Sequence, residues 1–277
     1  MNPLARVLRK LRSEGVPGLL RAATVRLRMR LASRTKQGTE RYAAMQKAYY
    51  ESFSPNDQHA LKEVVIGNYD AHERYPYEQY LLDRVGDTRS RAALDFGCGP
   101  GRMIRRLGPR FGRVDGVDIS AKLIEACRDW TKDLPSPPRL YVNDGASLAG
   151  IPDSEYDFVY CTISFHHIAS YDVRFCLLRE FHRVLKPGGH LALQMVYTDQ
   201  PRKVWQRHVN WLDSANDAMG TNSQCDVRIT PDNLPDVERS LGSIGFVEFS
   251  HRMAPMPHEL PDATGWIFLY ARKPGTT

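Results

Sequence analysis

The chain has 277 residues and a net charge of +6; apolar residues make up 42% of it and charged residues 25%. This composition suits one sizeable α/β domain with an extension, and no internal repeat or low-complexity tract is visible. The five cysteines form no C-x-x-C pair, which argues against a disulfide framework or a zinc site and for a reducing, cytoplasmic compartment. No apolar run approaches the roughly 20 residues that a membrane-spanning helix requires.

The positive charge is concentrated in residues 1–36, which contain ten basic residues and a single acid, Glu14. That segment carries +9, so the rest of the chain carries −3. We therefore expect no nucleic-acid partner, because the body of the protein is slightly acidic.

Residues 1–38 are predicted to form a basic amphipathic N-terminal arm. Leu4, Val7, Leu8 and Leu11 recur at helical spacing, and Pro17-Gly18 is expected to separate this helix from a second one. The alternation over residues 25–31 suits a strand equally well. The arm could lie on an anionic membrane surface on the inner face of the membrane, pack on its own domain or a second subunit, or serve as an organellar presequence.

Residues 39–90 are predicted to be a helical lid or cap segment. Helical patterns cover residues 39–52 and 56–66, and a polar, aromatic-rich connector leads to a third helix that ends near Val85.

A buried strand over residues 91–96 precedes a glycine-rich turn, in which Gly97, Gly99 and Gly101 fall as G-x-G-x-G. Such a turn at a helix N-terminus lets backbone N–H groups approach a ligand closely. The dinucleotide fingerprint is G-x-G-x-x-G, and Arg102 stands where its third glycine would be. Asp95 would sit badly beside a pyrophosphate but suits a cationic amino acid group.

The stretch LDFGCGPG resembles motif I of the class I S-adenosylmethionine-dependent methyltransferases, and the later segments agree with that family from about Tyr75 to Lys273. The resemblance implies that S-adenosylmethionine is the cofactor. It further implies that Asp95, Gly97, Gly99 and Gly101 bind this cofactor and that residues 39–90 fold over it. Tyr49 and Arg74 are then candidate substrate contacts, although ordinary packing is the alternative for each.

The second and third strands are predicted over residues 113–119 and 139–143. Asp118, at the end of the second, can accept hydrogen bonds from both ribose hydroxyls, and Ile119 would lie against the adenine. Alternatively, Asp118 helps to start the helix that Ser120 caps. The resemblance implies that Asp144 accepts the adenine amino group, with Gly145 beside it; the alternative for Asp144 is a turn residue in a polar loop.

The fourth strand is predicted over residues 156–163. The resemblance implies that backbone near Cys161 meets the methionine part of the cofactor and that the following residues face the methyl acceptor. His166 and His167 are the best general-base candidates, because imidazole can accept a hydroxyl proton near neutral pH. The alternative is that they only shape the pocket.

A helix over residues 173–185, a tight turn over 186–190 and a fifth strand over 191–196 follow, and this block resembles a structural block of the same family. Residues 197–230 form a predicted lid insertion with one helix over 204–219. Its candidate substrate residues are Trp205, His208, Trp211 and Asp213, although a lid covering a core would use the same residue types. Asp213, Asp217 and the histidines could gather around a divalent ion, but their spacing is no recognised ligand pattern, so we assign no metal ligands and leave metal dependence open.

These patterns predict an α/β fold with a Rossmann-like doubly wound sheet, mostly parallel with an antiparallel final strand, carried by residues 91–277. The predicted function is methyl transfer to a hydroxyl of a small molecule or glycan, with His167 as base. C-methylation of a quinone-like acceptor and a non-catalytic cofactor-binding scaffold are the alternatives.

Overall fold

The computed structural model describes residues 3–52, 75–199, 209–214, 226–256 and 263–276, with side chains from Val16 onward. Its centre is an eight-stranded sheet in the order β3-β2-β1-β4-β5-β8-β7, with β6 paired to β5. The strands are β1 (Ala92–Phe96), β2 (Arg113–Asp118), β3 (Leu140–Val142), β4 (Tyr156–Cys161), β5 (Leu185–Tyr197), β6 (Arg228–Ile229), β7 (Val247–Ala254) and β8 (Gly265–Arg272).

Helices pack on the sheet and precede it. They are α1 (Pro3–Ser33), α2 (Gly38–Tyr50), α3 (Tyr77–Leu81), α4 (Arg102–Leu107), α5 (Ala121–Thr131), α6 (Tyr171–Val184) and α7 (Leu234–Ile244), with 3₁₀ turns at Gly108–Arg110 and Ser164–His167. Among the described helices, none combines the length and apolarity that crossing a bilayer would need.

The sheet confirms the predicted doubly wound topology. Strands β1 to β6 pair in parallel, and β8 inserts antiparallel between β5 and β7. The chain runs outward from β1 to β3 and then returns to the other side of β1 with β4, so the strand order reverses between β1 and β4. Ligands of such sheets bind outside the carboxyl ends of the strands at that reversal.

Both faces of the sheet are buried, which explains why its strands read as apolar runs. One cluster includes Phe96, Phe165 and Phe181 and packs under α6 and α7. The other includes Phe158, Phe268 and Tyr80 and packs under α3 and α4. Most of the apolar residues of the sheet are thus buried on its two faces, and Asp95 and Asp118 lie at the ends of their strands.

The first helix corrects the prediction of two helices separated at Pro17-Gly18, and also the strand alternative over residues 25–31. Helix α1 continues through Pro17 to Ser33. A proline removes one backbone donor and bends a helix without always ending it. The later turns are held by packing, because Met29 is fully buried against Met45 and Tyr49 of α2.

The segment Lys186–His190 also differs from its prediction, since it lies within β5 rather than in a separate turn. Gly188 adopts a φ of +77°, and the pairing register with β4 shifts between Tyr156 and Phe158. The Gly188 N–H donates to the carbonyls of Lys273 and Pro274. The glycines therefore permit an irregularity inside a strand, which local turn propensity cannot distinguish from a reversal.

Buried Arg174 of α6 anchors the segment after β5. Its guanidinium donates to the backbone carbonyls of Ile168 and Trp211, and at 3.3 Å to that of Asp213. Burial lowers the pKa of Arg174 to about 10, so the group remains charged at neutral pH. Residues 209–214 form two β-bridges and a turn, which corrects the predicted helix there; the rest of that prediction lies outside the described residues.

We predict that Arg174→Met lowers the free energy of unfolding by about 3 kcal/mol, because it leaves several buried carbonyls without a donor. Urea unfolding monitored by tryptophan fluorescence measures this change. Arg179→Met is the matched control, since Arg179 lies exposed on the same helix and should change stability by less than about 0.5 kcal/mol. Equal effects of the two variants would contradict the anchoring role.

Candidate functional site

The glycine turn connects β1 to α4 at the point where the strand order reverses. The N–H groups of Gly97 and Cys98 both donate to the carbonyl of Val117, which fixes the turn against β2. Gly97 has a φ of +71° and Gly99 a φ of +52°. A Cβ on Gly99 would meet nothing within 4 Å, so that face of the turn is open to a ligand.

Asp95 lies at the end of β1 with only 1% of its surface exposed. Its Oδ2 has no hydrogen-bond partner among the described residues. Burial, with neighbouring Cys127 and Asp118, raises its pKa well above the usual range, while Arg102 opposes the shift. An unpartnered buried carboxylate is costly, so a cationic group would be strongly favoured beside it.

Asp118 ends β2 and contacts the glycine turn directly. Its Oδ2 accepts the Gly99 N–H at 2.9 Å, and its Oδ1 accepts the Ser120 N–H at 2.9 Å. Burial nevertheless raises the pKa of Asp118 to about 6. Each carboxylate oxygen has a second acceptor position, so the helix-starting role and a role toward ligand hydroxyls are geometrically compatible. Ser120 caps α5 as predicted, accepting the Leu123 N–H.

Two of the residues predicted to meet adenine lie together. A Cβ on Gly145 would come within 2.6 Å of Ile119 Cδ1 and 3.3 Å of Ala43 Cβ, so β2, the loop after β3 and α2 converge there. Asp144 instead accepts the N–H groups of Ala146 and Ser147 within its own loop. These bonds outweigh burial and lower the pKa of Asp144. The turn role thus describes the contacts that Asp144 makes.

Asn143 was not predicted, yet it is the more available polar group at this end. It is buried, and its Oδ1 has no partner among the described residues. Its N–H donates to the carbonyl of Asp118 at 3.0 Å. Asn143 therefore offers a buried acceptor next to the carboxylate that ends β2.

A strained turn leaves the end of β4. Ile163 has a φ of +70° and a ψ of −41°, and the Ser164 N–H donates to the Thr162 carbonyl at 2.8 Å. These values describe a classic γ-turn, which is rare and costly for a β-branched residue. The Ser164 hydroxyl donates to the Gly97 carbonyl at 3.1 Å and so ties this turn to the glycine turn. Cys161 itself is fully buried, so its side chain packs in the core.

The following 3₁₀ turn carries the histidine pair. His167 Nδ1 lies 2.7 Å from Asp226 Oδ1. Because the carboxylate can only accept, Nδ1 carries the proton of this bond, and Nε2 is the ring nitrogen that can accept a proton from a ligand. Burial acts to raise the pKa of Asp226, but His167, His166 and Arg228 outweigh it and hold that pKa below its usual range. The arrangement is that of a base oriented by an acid.

His166 is almost fully buried, and its Nδ1 has no partner among the described residues. Burial and the neighbouring His167 lower its pKa well below the usual value, so the ring is neutral at pH 7. The ligand atoms of His166, His167 and Asp226 all lie within 4.8 Å of one another, so this set could hold a divalent ion. The hydrogen bond between His167 and Asp226 equally suits a second role, in which Asp226 orients His167 to accept a proton from a ligand.

Helix α2 covers this end of the site. The Tyr42 hydroxyl accepts the Ala169 N–H at 2.6 Å and donates to the His167 carbonyl at 3.3 Å. At the other end of the helix, Glu51 accepts the Ala121 N–H at the start of α5. Tyr50 lies near enough to Asp118 and Asp226 for both to raise its pKa, although burial is the larger cause. Within the segment predicted to be a lid, α2 is the described part that reaches this end of the site, and Tyr50 lies near both acids.

The structure does not bring every candidate substrate residue to this site. Tyr49 packs between α1 and α2 with Met29 and Met45. Trp211 is fully buried, and its Nε1 donates to Ser240 Oγ at 2.9 Å, so it belongs to the core. Asp213 accepts the Asn210 N–H within its own turn. Arg74, Trp205 and His208 lie outside the described residues.

Sequence reasoning missed Asp226, Tyr42, Tyr50 and Asn143. The alternation of polar and apolar residues over 226–229 indicates a short strand, and it was the one available signal for Asp226. That strand is brought to the histidines by the Val227 N–H, which donates to the His166 carbonyl at 2.8 Å. A pairing over about 60 residues leaves no trace in local spacing.

The residues present fit an S-adenosyl ligand. Asp95 offers a buried carboxylate oxygen without a partner, which suits an ammonium group, and the open face of Gly99 allows close approach of a ligand. Along the strand ends, Asp118 comes after Asp95, and the Ile119–Gly145 contact comes after Asp118. In this order the ribose hydroxyls of the ligand would lie at Asp118 and its flat ring system at Ile119 and Gly145. The fit rests on the charge of Asp95, the accessible backbone at Gly99 and the order of these residues along the strand ends.

Comparison with known proteins finds a family described as a methyltransferase domain, which matches residues 94–193. Trans-aconitate 2-methyltransferase from Paracidovorax citrulli is 30% identical over 151 residues, covering 52% of this chain and 55% of that protein. Demethylmenaquinone methyltransferase from Listeria welshimeri is 28% identical over 156 residues, covering 55% and 61%. The chain thus spans little more than half the length of these relatives.

A solved structure of similar fold is the Burkholderia thailandensis 1,6-didemethyltoxoflavin-N1-methyltransferase with bound 1,6-didemethyltoxoflavin and S-adenosylhomocysteine. The TM-score is 0.60 at 18% identity, and the alignment covers 86% of this chain and 91% of that one. At this identity the likeness concerns the fold.

We predict that Gly97→Ala lowers the free energy of unfolding by about 3 kcal/mol. The new Cβ would overlap the Ser164 side chain, and the alanine backbone would have to adopt the positive φ of Gly97. Gly86→Ala is the matched control: Gly86 has a φ of +70° in open space, so only about 1–2 kcal/mol should be lost.

Combining Gly97→Ala with Ser164→Gly removes the overlap. The double variant should lose at least about 1 kcal/mol less than the sum of its two single variants in urea unfolding. Strict additivity would show that the glycine turn and the turn after β4 are not in contact.

Proposed function

We propose that the chain, whose residues 94–193 match a family described as a methyltransferase domain, is a class I S-adenosylmethionine-dependent methyltransferase that methylates a hydroxyl of a small molecule or glycan. The carrying observation is the 2.7 Å bond between His167 Nδ1 and Asp226 Oδ1. A hydroxyl is a weak nucleophile at neutral pH, so its methylation gains most from an oriented base.

The cofactor of this family, S-adenosylmethionine, supplies an activated methyl group when bound. In our proposal Asp95 pairs with its ammonium group, Gly97, Gly99 and Gly101 give it access to the turn, and Asp118 accepts its ribose hydroxyls. Ile119 and Gly145 support the ring end, with Asn143 as the acceptor for an amino group in place of Asp144. Only backbone is offered near Cys161, because its side chain is buried.

The acceptor lies, in this proposal, on the His167 side of the site. His167 Nε2 takes the hydroxyl proton as the new oxygen–carbon bond forms, and Asp226 stabilises the resulting imidazolium. Neutral His166 and Tyr50 contribute to positioning. Alignment of the two reacting partners supplies much of the remaining rate, because the methyl group needs no further activation.

Two observations support a second candidate function, the C-methylation of a quinone-like acceptor. One relative is a demethylmenaquinone methyltransferase, and the N-terminal helix exposes several apolar side chains. Partners outside the reaction are proposed at residues 1–36, which would meet an anionic membrane surface or a second subunit. The site of methylation in the product, read by NMR, separates O- from C-transfer.

We predict that S-adenosylhomocysteine binds at least about tenfold more weakly to Asp118→Asn than to the native chain at pH 7.5. The pKa of Asp118 is raised to about 6, and hydroxyl donors favour its ionised form. Native affinity should therefore fall as pH drops from 7 to 5, by at most about tenfold per pH unit.

Calorimetry across that pH range tests both statements. In Asp118→Asn the part of the slope that belongs to this residue should vanish, and any remaining slope reports other groups such as Asp95. Unchanged affinity in the variant, or tighter binding of a nicotinamide dinucleotide, would reject the assignment.

We predict that His167→Ala lowers turnover by about 10²–10⁴ while leaving S-adenosylhomocysteine affinity nearly intact. The assay is S-adenosylhomocysteine formation with a panel of hydroxylated small molecules and glycans. Asp226→Asn should also lower turnover, because it removes the group that fixes the His167 tautomer.

His182→Ala is the control, since His182 contacts Phe246 on the far side of α6 and lies apart from the site. Near-normal turnover in His167→Ala would reassign that residue to pocket shape. Cofactor binding without transfer to any acceptor would favour the scaffold alternative.

A further inference from the structure

Helix α1 exposes an apolar stripe. Its members are Val16, Leu20, Leu27 and Leu31, each between 57% and 64% exposed. Of the large apolar side chains that the structure describes, these are the four most exposed. At 100° per residue they fall within an arc of about 60° on the helix surface. They therefore form one continuous surface, which we call the leucine stripe.

The leucine stripe faces away from the protein. Helix α1 packs on α2 through Val25 and Met29, whose positions lie roughly opposite the stripe on the helix circumference. The stripe is thus additional to the face that α1 uses to attach to its own chain. Packing on its own domain, one of the roles expected for the arm, accounts for one face only.

Exposed arginines flank the leucine stripe. Arg28 lies along one edge, and Arg26 and Arg30 lie along the other. Residues 16–33 contain no acid. A helix with an apolar stripe between two rows of cations has the form that binds in the interfacial plane of a lipid bilayer.

We propose that the leucine stripe docks on an anionic lipid surface, with the leucines among the acyl chains near the headgroups and the arginines at the phosphates. This goes beyond methyl transfer and requires no acceptor.

Charge decides between a lipid surface and a second copy of the chain. Two stripes packed together would place the flanking arginines of one helix beside those of the other, with no acid in residues 16–33 to compensate. An anionic bilayer supplies both the apolar medium and the opposite charge. Each arginine near such a surface raises the affinity for it about fivefold. The surface therefore complements lipid and opposes self-association.

The test is cosedimentation of the full chain with vesicles. We expect binding to a two-to-one mixture of phosphatidylcholine and phosphatidylglycerol, little binding to phosphatidylcholine alone, and weaker binding as salt is raised. Leu20→Gln combined with Leu27→Gln should reduce the partition coefficient at least about tenfold. Glutamine matches leucine in size and helix propensity, so circular dichroism and thermal unfolding should stay unchanged.

Controls separate this surface from general stickiness. Val247→Thr removes an exposed apolar group from edge strand β7, and Arg89→Gln removes an exposed charge from the turn before β1; neither should alter vesicle binding. Arg26→Gln combined with Arg30→Gln should weaken binding to anionic vesicles and flatten its salt dependence.

Several outcomes would overturn the proposal. These are absence of binding to the anionic vesicles, equal binding by the double leucine variant, and equal loss in the controls. A dimer in sedimentation equilibrium that dissociates in the double leucine variant, without vesicle binding, would assign the stripe to a second copy instead. Each of these leaves the methyltransferase assignment unaffected, because cofactor affinity is measured separately.

Discussion

The buried guanidinium of Arg174 is the interaction on which the acceptor side of the site depends. It binds backbone carbonyls from two segments far apart in the sequence, that of Ile168 beside the histidine pair and those of Trp211 and Asp213 after β5. The segment it holds bridges to Val227 through Val209. Val227 in turn places Asp226 against His167. The buried charge of Arg174 thus helps to hold the contact between Asp226 and His167, which are far apart in the sequence, because hydrogen bonds are strong in a buried environment.

The three buried acids of the site differ in what compensates them, and this difference separates their roles. Asp226 has cationic or proton-donating neighbours, so its pKa is lowered and it remains an anion that can orient His167. Asp95 and Asp118 are raised instead, because burial dominates. Two insufficiently compensated acids at the strand reversal store electrostatic free energy that a ligand with an ammonium group and hydroxyls would recover. This contrast is what our proposal uses, since it assigns the anionic Asp226 to orienting His167 and the two acids with raised pKa to ligand binding.

Much of the fold could be predicted from sequence, and the failures have a common physical origin. The strands around Asp95, Asp118 and Cys161 were found because burial on both faces gives them apolar runs, and the predicted antiparallel final strand is Gly265–Arg272. The candidate His167 could be proposed for a related reason, because it lies in the turn that leaves the end of β4. Asp226, Tyr42 and Tyr50 were missed because long-range contacts bring them in. The predictions at Pro17 and Gly188 were wrong because proline can either end or bend a helix, and glycine can form either a turn or an irregularity within a strand. Packing decides between these conformations.

Helix α2 joins the two surfaces that this chain presents to other molecules. One part of it supports α1 through Met45 and Tyr49, and Tyr42 of the same helix binds the backbone on both sides of the turn after His167. A lipid surface that holds the leucine stripe would therefore also fix the direction in which the His167–Asp226 pair faces. Helix α2 also lies near Gly145 through Ala43, and Glu51 at its end accepts the Ala121 N–H of α5. The arm and the site therefore share one supporting helix, because each is packed against a different part of α2.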